Sequence, residues 1–286
     1  MKIKLLGTGA SEGIPAFRCQ CRTCHEARQN GGKFIRQNAA AYVEGDHGEK
    51  ILLDIPLSIK MMLNTAGIAE DTLDAIFITH SDFDHIGGLF NLQQNNNQNG
   101  FKGDHDIEVF MPVDVIELFE KSMDLTAFEH NGTLVQKQYA FVLKSIGPEQ
   151  KVQVGDLTLQ PLESNHLRLH AHEPRDCFGY LIRRSDGKSI AYMPDALLEM
   201  PETTYRLLRE HRPEYLFIDC TFDSCNGFSK CNHLDIQGLI TLHERIGPGK
   251  TFATHISHRN FGHDQLEHVL SAHGIGVAYD GLELEI

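Results

Sequence analysis

The chain has 286 residues, 41% hydrophobic and 23% charged, the balance of a globular protein long enough to bury a substantial core. A formal net charge of -13 excludes broad affinity for nucleic acid polymers or anionic membrane surfaces. No stretch reaches membrane-spanning length and the first residues lack the apolar run of a signal peptide, so the expected location is the cytoplasm.

In chain order, residues 2–6 read as a strand ending in the glycine-rich turn Gly7-Thr8-Gly9-Ala10-Ser11-Glu12-Gly13, whose spacing is not that of a dinucleotide fingerprint. Cys19, Cys21 and Cys24 follow. Three thiols so close cannot all enter a core from one short loop, but they can wrap one tetrahedral ion and leave its fourth corner open. The chain has seven cysteines, and without a signal peptide reduced thiolates are expected rather than disulfides; Cys225 and Cys231 read as ordinary loop thiols. Strands are predicted at 41–44 and 51–55, then a helix over 57–66 closed by Gly67. Asp54 is placed either to steady a metal ligand or to serve as a plain turn carboxylate.

The apolar run Ala75-Ile76-Phe77-Ile78 leads directly into Thr79-His80-Ser81-Asp82-Phe83-Asp84-His85-Ile86-Gly87-Gly88. Imidazoles alternating with carboxylates at the end of a buried strand can converge on one point, and a helix cap needs only one such side chain. The stretch resembles the His-x-His-x-Asp-His signature of the metallo-β-lactamase superfamily, with Asp82 where the second histidine is expected. That resemblance implies His80 and Asp82 at one metal, and Asp84 and His85 at a second.

Residues 93–106 are rich in Asn and Gln and read as a surface loop. A strand at 107–111 and a helix over 113–123 follow, then 124–132, which has no clear period and is either a lid or a plain connection. Strands are predicted at 141–146, 157–163, 178–184, 189–193, 215–220, 251–254, 275–279 and 282–286, with helices ending at 211, over 234–246 and over 264–273. Strands early and late with helices between them predict an α/β fold, a four-layer αββα sandwich of two mixed β-sheets flanked by helices. No repeat or low-complexity linker divides the chain, so 1–286 reads as a single domain carrying a thiolate loop at 19–24.

His166, Asp195 and His255 each stand just past a predicted strand, and their recurrence at one topological place marks them as candidate ligands. His258, three residues beyond His255, is the natural fourth partner of Cys19, Cys21 and Cys24 in a structural zinc site. The thiol loop after a Gly-Thr-Gly strand, together with His-x-x-His near the end, resembles PhnP-type cyclic phosphodiesterases and the related PqqB proteins. The resemblance implies His166 on metal one, His255 on metal two and Asp195 bridging. It implies two divalent catalytic metals (Mn, Fe or Zn), with Asp84 and His233 as catalytic residues.

The implied reaction is hydrolysis of a small or cyclic phosphodiester by a metal-bridging hydroxide, with His233 protonating the leaving alkoxide. The expected partner is that small molecule, not a nucleic acid polymer or a membrane, and a homodimer is compatible with the sequence. Asp82 adds an anionic oxygen that favours manganese or iron over zinc. The connection 167–177 is longer than PhnP-type proteins show, and Arg168, His170, His172 and Arg175 either face substrate or form a solvated loop. The alternative implied by the PqqB resemblance is iron-dependent oxidation of an amino-acid-derived or peptide substrate.

Overall fold

Strands buried on both faces read as nearly unbroken apolar runs, and segments such as Ala75–Phe77 and Ser189–Met193 are buried along their whole length. The structure is a computed structural model that describes residues 1–92, 107–124, 128–130, 133–135, 141–166, 176–225 and 231–286. The predicted loop at 93–106, part of the 124–132 stretch, and Arg168, His170, His172 and Arg175 lie outside the described residues.

The strands are β1 (Lys2–Gly7), β2 (Ala40–Glu44), β3 (Lys50–Leu53), β4 (Ala75–Phe77), β5 (Ile107–Met111), β6 (Phe128–His130), β7 (Thr133–Val135), β8 (Phe141–Ser145), β9 (Val152–Val154), β10 (Leu157–Glu163), β11 (Phe178–Arg183), β12 (Ser189–Met193), β13 (Tyr215–Asp219), β14 (Lys250–Thr254), β15 (Gly276–Val277) and β16 (Glu283–Glu285). The helices are α1 (Arg22–Asn30), α2 (Ile59–Ala66), α3 (Phe83–Ile86), α4 (Val113–Asp124), α5 (Glu202–His211), α6 (Ile236–Ile246) and α7 (His263–Ser271).

Two seven-stranded sheets result, in the orders β16-β1-β2-β3-β4-β5-β8 and β15-β14-β13-β12-β11-β10-β9. Each is mixed. In the first, β3, β4, β5 and β8 run parallel and the rest antiparallel. In the second, β12 to β15 run parallel and β9 to β12 antiparallel.

Between the sheets lies a core that includes Leu5, Val43, Phe77, Tyr180, Tyr192, Phe217 and Phe252. Phe77 meets Tyr180 across the gap edge to face at 5.3 Å. Successive β13 residues alternate faces: Phe217 enters this layer, whereas Leu216 and Ile218 turn outward to pack with Leu239 and Leu242 of α6. The outer face of the first sheet is covered by Ile59, Met62 and Leu63 of α2 and by Val115 and Phe119 of α4. These are the four predicted layers. No helix among the described residues is long and apolar enough to cross a membrane.

Strands β3 and β4 of the first sheet and β10, β12 and β14 of the second position the site, because each delivers its C-terminal end to one rim. Asp54 follows β3, His80 and His85 follow β4, His166 follows β10, Asp195 follows β12 and His255 follows β14.

Candidate metal centre

The rim brings together every catalytic-metal candidate read from the sequence. His80 Nε2 lies 3.7 Å from Asp82 Oδ2 and 4.0 Å from Asp195 Oδ1, and His166 Nε2 lies 3.8 Å from both carboxylates. A second group adjoins it: His85 Nε2 is 3.3 Å from Asp84 Oδ2 and 3.1 Å from Asp195 Oδ2, while His255 Nε2 is 3.5 Å from Asp84 Oδ2 and 3.6 Å from Asp195 Oδ1. Asp195 belongs to both groups.

Hydrogen bonds on the far side of each ring fix the imidazoles. His85 Nδ1 donates to Asp54 Oδ2 at 2.9 Å, and His166 Nδ1 to the Asn232 carbonyl at 2.8 Å. The Thr79 hydroxyl donates to Asp54 and therefore accepts from His80 Nδ1; the Thr221 hydroxyl donates to Asp219 and accepts from His255 Nδ1. With each Nδ1 protonated, each Nε2 carries a lone pair.

Three of those nitrogens, on His80, His85 and His255, are buried with no hydrogen-bond partner, as is Asp195 Oδ2. Orphaned buried acceptors turned on one another fit a cation. Imidazole and carboxylate without thiolate suit manganese, iron or zinc. The electrostatics agree: burial alone would raise the Asp84 carboxyl, yet His85 and His255 hold it well below the usual carboxylate range. Burial alone would push His85 down, yet Asp195, Asp84 and Asp54 lift its imidazole well above the ordinary value: the carboxylates that attract a proton to this ring would equally attract a metal ion in the proton's place.

Three non-glycine residues flanking or forming the site, Asp54, Asn165 and His255, have positive φ of 61°, 54° and 54°. Such backbone is held in place by its surroundings, here by the bonds at Asp54 and His255 just described.

The thiolate cluster also assembles. Cys19, Cys21, Cys24 and His258 place their ligand atoms within 4.8 Å of one another, and His258 Nδ1 lies 3.1 Å from Cys19 Sγ and 3.5 Å from Cys21 Sγ. The Cys21 amide lowers the Cys19 thiol to about 7, whereas burial pushes Cys24 up to about 12. Thr23 Oγ1 donates to the Asn260 carbonyl at 2.9 Å, fastening the thiol loop to the segment after β14.

His233 sits at the same rim, its Nδ1 donating to Asp219 Oδ2 at 2.9 Å and lying 3.6 Å from Asp195 Oδ1. Asp219, fully buried, was not among the predicted site residues, nor were Thr79, Thr221 and the Asn232 carbonyl. Their one signal in the sequence is position, since Asp219 closes a strand and each threonine stands at the start of a loop.

One expectation is overturned. Cys225 and Cys231 are joined in a disulfide rather than left as loop thiols. The Phe222–Asp235 bridge and the bond from the Cys225 amide to Asp235 Oδ2 at 3.0 Å draw the loop's ends together, leaving the Cα atoms 5.8 Å apart. An argument from redox compartment could not see that closure.

A cavity of about 390 Å³ opens over the centre, with Asp82, Asp84, Asp195, His233, His255 and Arg259 among its walls. Two carboxylate- and histidine-rich groups sharing one aspartate at the joint rim of an αββα sandwich define the class. Residues 50–256 match the family model described as beta-lactamase superfamily domain, and the chain belongs to that superfamily, with the metallo-β-lactamase fold.

More particular likenesses follow. An octanoyltransferase of Porphyromonas gingivalis is 28% identical over 99% of this chain and 51% of its own length, so the chain spans about half of that relative. Coenzyme PQQ synthesis protein B of Cupriavidus taiwanensis is 27% identical over 99% of both chains. Among solved structures, a diphosphatase of the PhnP family superposes with a TM-score of 0.79 at 21% identity, covering 100% of this chain and 96% of that one. Zinc-bound PqqB from Methylobacterium extorquens superposes with a TM-score of 0.78 at 17% identity, covering both chains fully. The superfamily fold and the ligand clusters make this rim a candidate metal-binding centre.

Proposed function

We propose that the chain hydrolyses a small or cyclic phosphodiester. The observation that carries this reading is His233, pinned by buried Asp219 on the wall of the cavity beside Asp195. With Nδ1 committed to the carboxylate, Nε2 is the nitrogen left for exchange with a ligand. Asp219 holds the ring in place, so Nε2 is the atom through which His233 can pass a proton to a departing alkoxide oxygen.

His80, Asp82, His166 and Asp195 would hold one divalent ion, and Asp84, His85, His255 and Asp195 a second. Ions there supply Lewis acidity to the phosphoryl oxygens and acidify water. Asp84 lines the cavity and can accept a hydrogen from the attacking water, orienting it. Cys19, Cys21, Cys24 and His258 would hold a structural zinc whose histidine is three residues from His255.

The test compares leaving groups. His233→Asn is expected to lower kcat roughly 10²- to 10³-fold for a diester with an alkoxide leaving group, and far less for 4-nitrophenolate, which needs no proton. Equal losses on both, or no turnover of any diester by metal-loaded protein, would contradict the reading.

The other reading is an iron-dependent oxidation. It is favoured by the full-length similarity to coenzyme PQQ synthesis protein B and by Asp82, which gives the first ion two carboxylates and two imidazoles. Substrate-dependent oxygen consumption by iron-loaded protein is its signature.

A further inference from the structure

The seven cysteines are held in two states: Cys19, Cys21, Cys24, Cys177 and Cys220 are reduced, and Cys225 and Cys231 are joined. The disulfide has no part in the hydrolysis. Both of its cysteines are only half-buried, within reach of a dissolved thiol, whereas Cys24, Cys177 and Cys220 are buried. Accessible disulfides are the labile ones, because exchange begins with a thiolate reaching a sulfur.

The link joins two segments that bear on the metal centre. Cys225 is fixed by its amide, which donates to Asp235 Oδ2 at 3.0 Å, while Asp235 Oδ1 accepts from the Gly238 amide at 2.8 Å and caps α6. Cys225 Sγ also lies 3.8 Å from the His233 carbonyl. On the other side, Cys231 is followed directly by Asn232, whose carbonyl accepts from His166 Nδ1 at 2.8 Å. The disulfide therefore ties the residue that orients His166 to a helix cap. His233 has anchors of its own, in Asp219 at 2.9 Å and in the buried Leu234 beside it. Half-buried Asn232 relies on Cys231 for the course of the chain before it, so opening the link falls first on the Asn232 carbonyl. A histidine whose Nδ1–H loses a fixed acceptor is a less well oriented and weaker ligand through Nε2.

We propose that the Cys225–Cys231 pair is a reversible redox-modification site that governs metal binding at His166, with the disulfide as the tight-binding form and the dithiol as the weak one. The inference rests on the metal centre proposed above and not on the phosphodiester. In the exchange, a thiolate of a dithiol reductant attacks one sulfur of the pair, the S–S bond breaks and a mixed disulfide forms, which the reductant's second thiol then displaces. Cys225 and Cys231 end as two thiols and the reductant as a disulfide, two electrons and two protons having passed to the protein.

The experiment uses the full-length protein with its disulfide intact, the same protein after treatment with dithiothreitol and its removal without air, and the variant Cys225→Ser/Cys231→Ser. Alkylation and mass spectrometry count the thiols, and titration calorimetry follows manganese binding. One of the two catalytic manganese ions is expected to bind roughly tenfold or more weakly to the reduced protein and to the variant than to the disulfide form. Reoxidation should restore tight binding to the wild type, and dithiothreitol should leave the variant unchanged. Equal affinity in all three, a dithiothreitol effect as large in the variant, or a pair that folded protein neither opens in excess dithiothreitol nor closes under mild oxidant would each overturn the proposal. Should no form bind manganese, the metal centre fails by itself. Hydrogen exchange over 231–235 then decides whether the link positions Asn232: faster exchange on reduction supports that role, and unchanged exchange overturns it.

Discussion

Asp195 bears on all four candidate ligand imidazoles at once: His85 at 3.1 Å, His255 at 3.6 Å, His166 at 3.8 Å and His80 at 4.0 Å. Removing it deprives both candidate ions of their common ligand and leaves the thiolate cluster untouched. Asp195→Ala is therefore expected to lose both catalytic ions and roughly 10³-fold or more of metal-dependent turnover, while elemental analysis still finds the zinc of the Cys3His cluster. Loss of that zinc as well would contradict separate sites. The ligands were legible because imidazole and carboxylate side chains after strand after strand are rarely needed by a core. Thr79, Thr221 and Asp219 were not, since a hydroxyl or a strand-end carboxylate carries no mark until it is seen aligning an imidazole.

At the scale of elements, the thiol loop and the turn after β14 behave as one piece. Arg28 of α1 donates to the Cys19 carbonyl at 2.6 Å, Thr23 reaches Asn260, and His258 joins both to the strand that ends beside His255. Cys21→Ser should lower the zinc content of the purified protein and its thermal midpoint together, and weaken metal binding at His255 through the shared turn. Unchanged zinc and midpoint would mean that the cluster does not hold the loop. Strands were legible from unbroken apolar runs such as 75–78, and the turn-forming residues Gly155-Asp156 and Ser185-Asp186-Gly187 join the antiparallel pairs β9–β10 and β11–β12. Helix α1 was missed because only Cys24 and Ala27 of its nine residues are buried, which leaves too few apolar positions to reveal a period. From the sequence, 86–92 reads as the start of a helix; the structure instead has the short α3 over Phe83–Ile86, followed by a 3₁₀ turn over Gly87–Asn91. Gly88 explains the departure: its amide donates to the Ile55 carbonyl at 2.7 Å, and a Cβ there would meet the Pro56 carbonyl at 2.4 Å.

Over the whole molecule, the two ends of the sequence are stitched to the rim by a buried cation. Arg36 donates to Thr8 Oγ1 and the Ala278 carbonyl, each at 2.6 Å, and to His263 Nδ1 at 2.9 Å, so His263 accepts and stays neutral. Burial, then the charge of Arg36, lowers its imidazole to about 4. A folded-state value below the ordinary 6.5 means that the unfolded chain takes up the proton first as pH falls. The contribution is whole above about pH 6.5 and lost progressively toward pH 4. His263→Gln, which keeps an acceptor for Arg36 without a titrating ring, should flatten the fall of the thermal midpoint across that window; an unchanged slope would contradict the linkage.

The arrangement of layers was legible in the order of strands and helices. The stitching was not, because Arg36, Thr8, His263 and Ala278 are far apart in the chain and meet only when the sheets close. The central claim is that one rim holds a pair of ions bridged by Asp195, with a third among the thiolates. Anomalous diffraction at the manganese, iron and zinc edges, from crystals of protein purified without added metal, tests it directly. The account predicts two peaks about 3.5–4 Å apart flanking Asp195 and a zinc peak between Cys19, Cys21, Cys24 and His258. A zinc peak at the thiolates with none beside Asp195 after soaking in any of the three metals would contradict it.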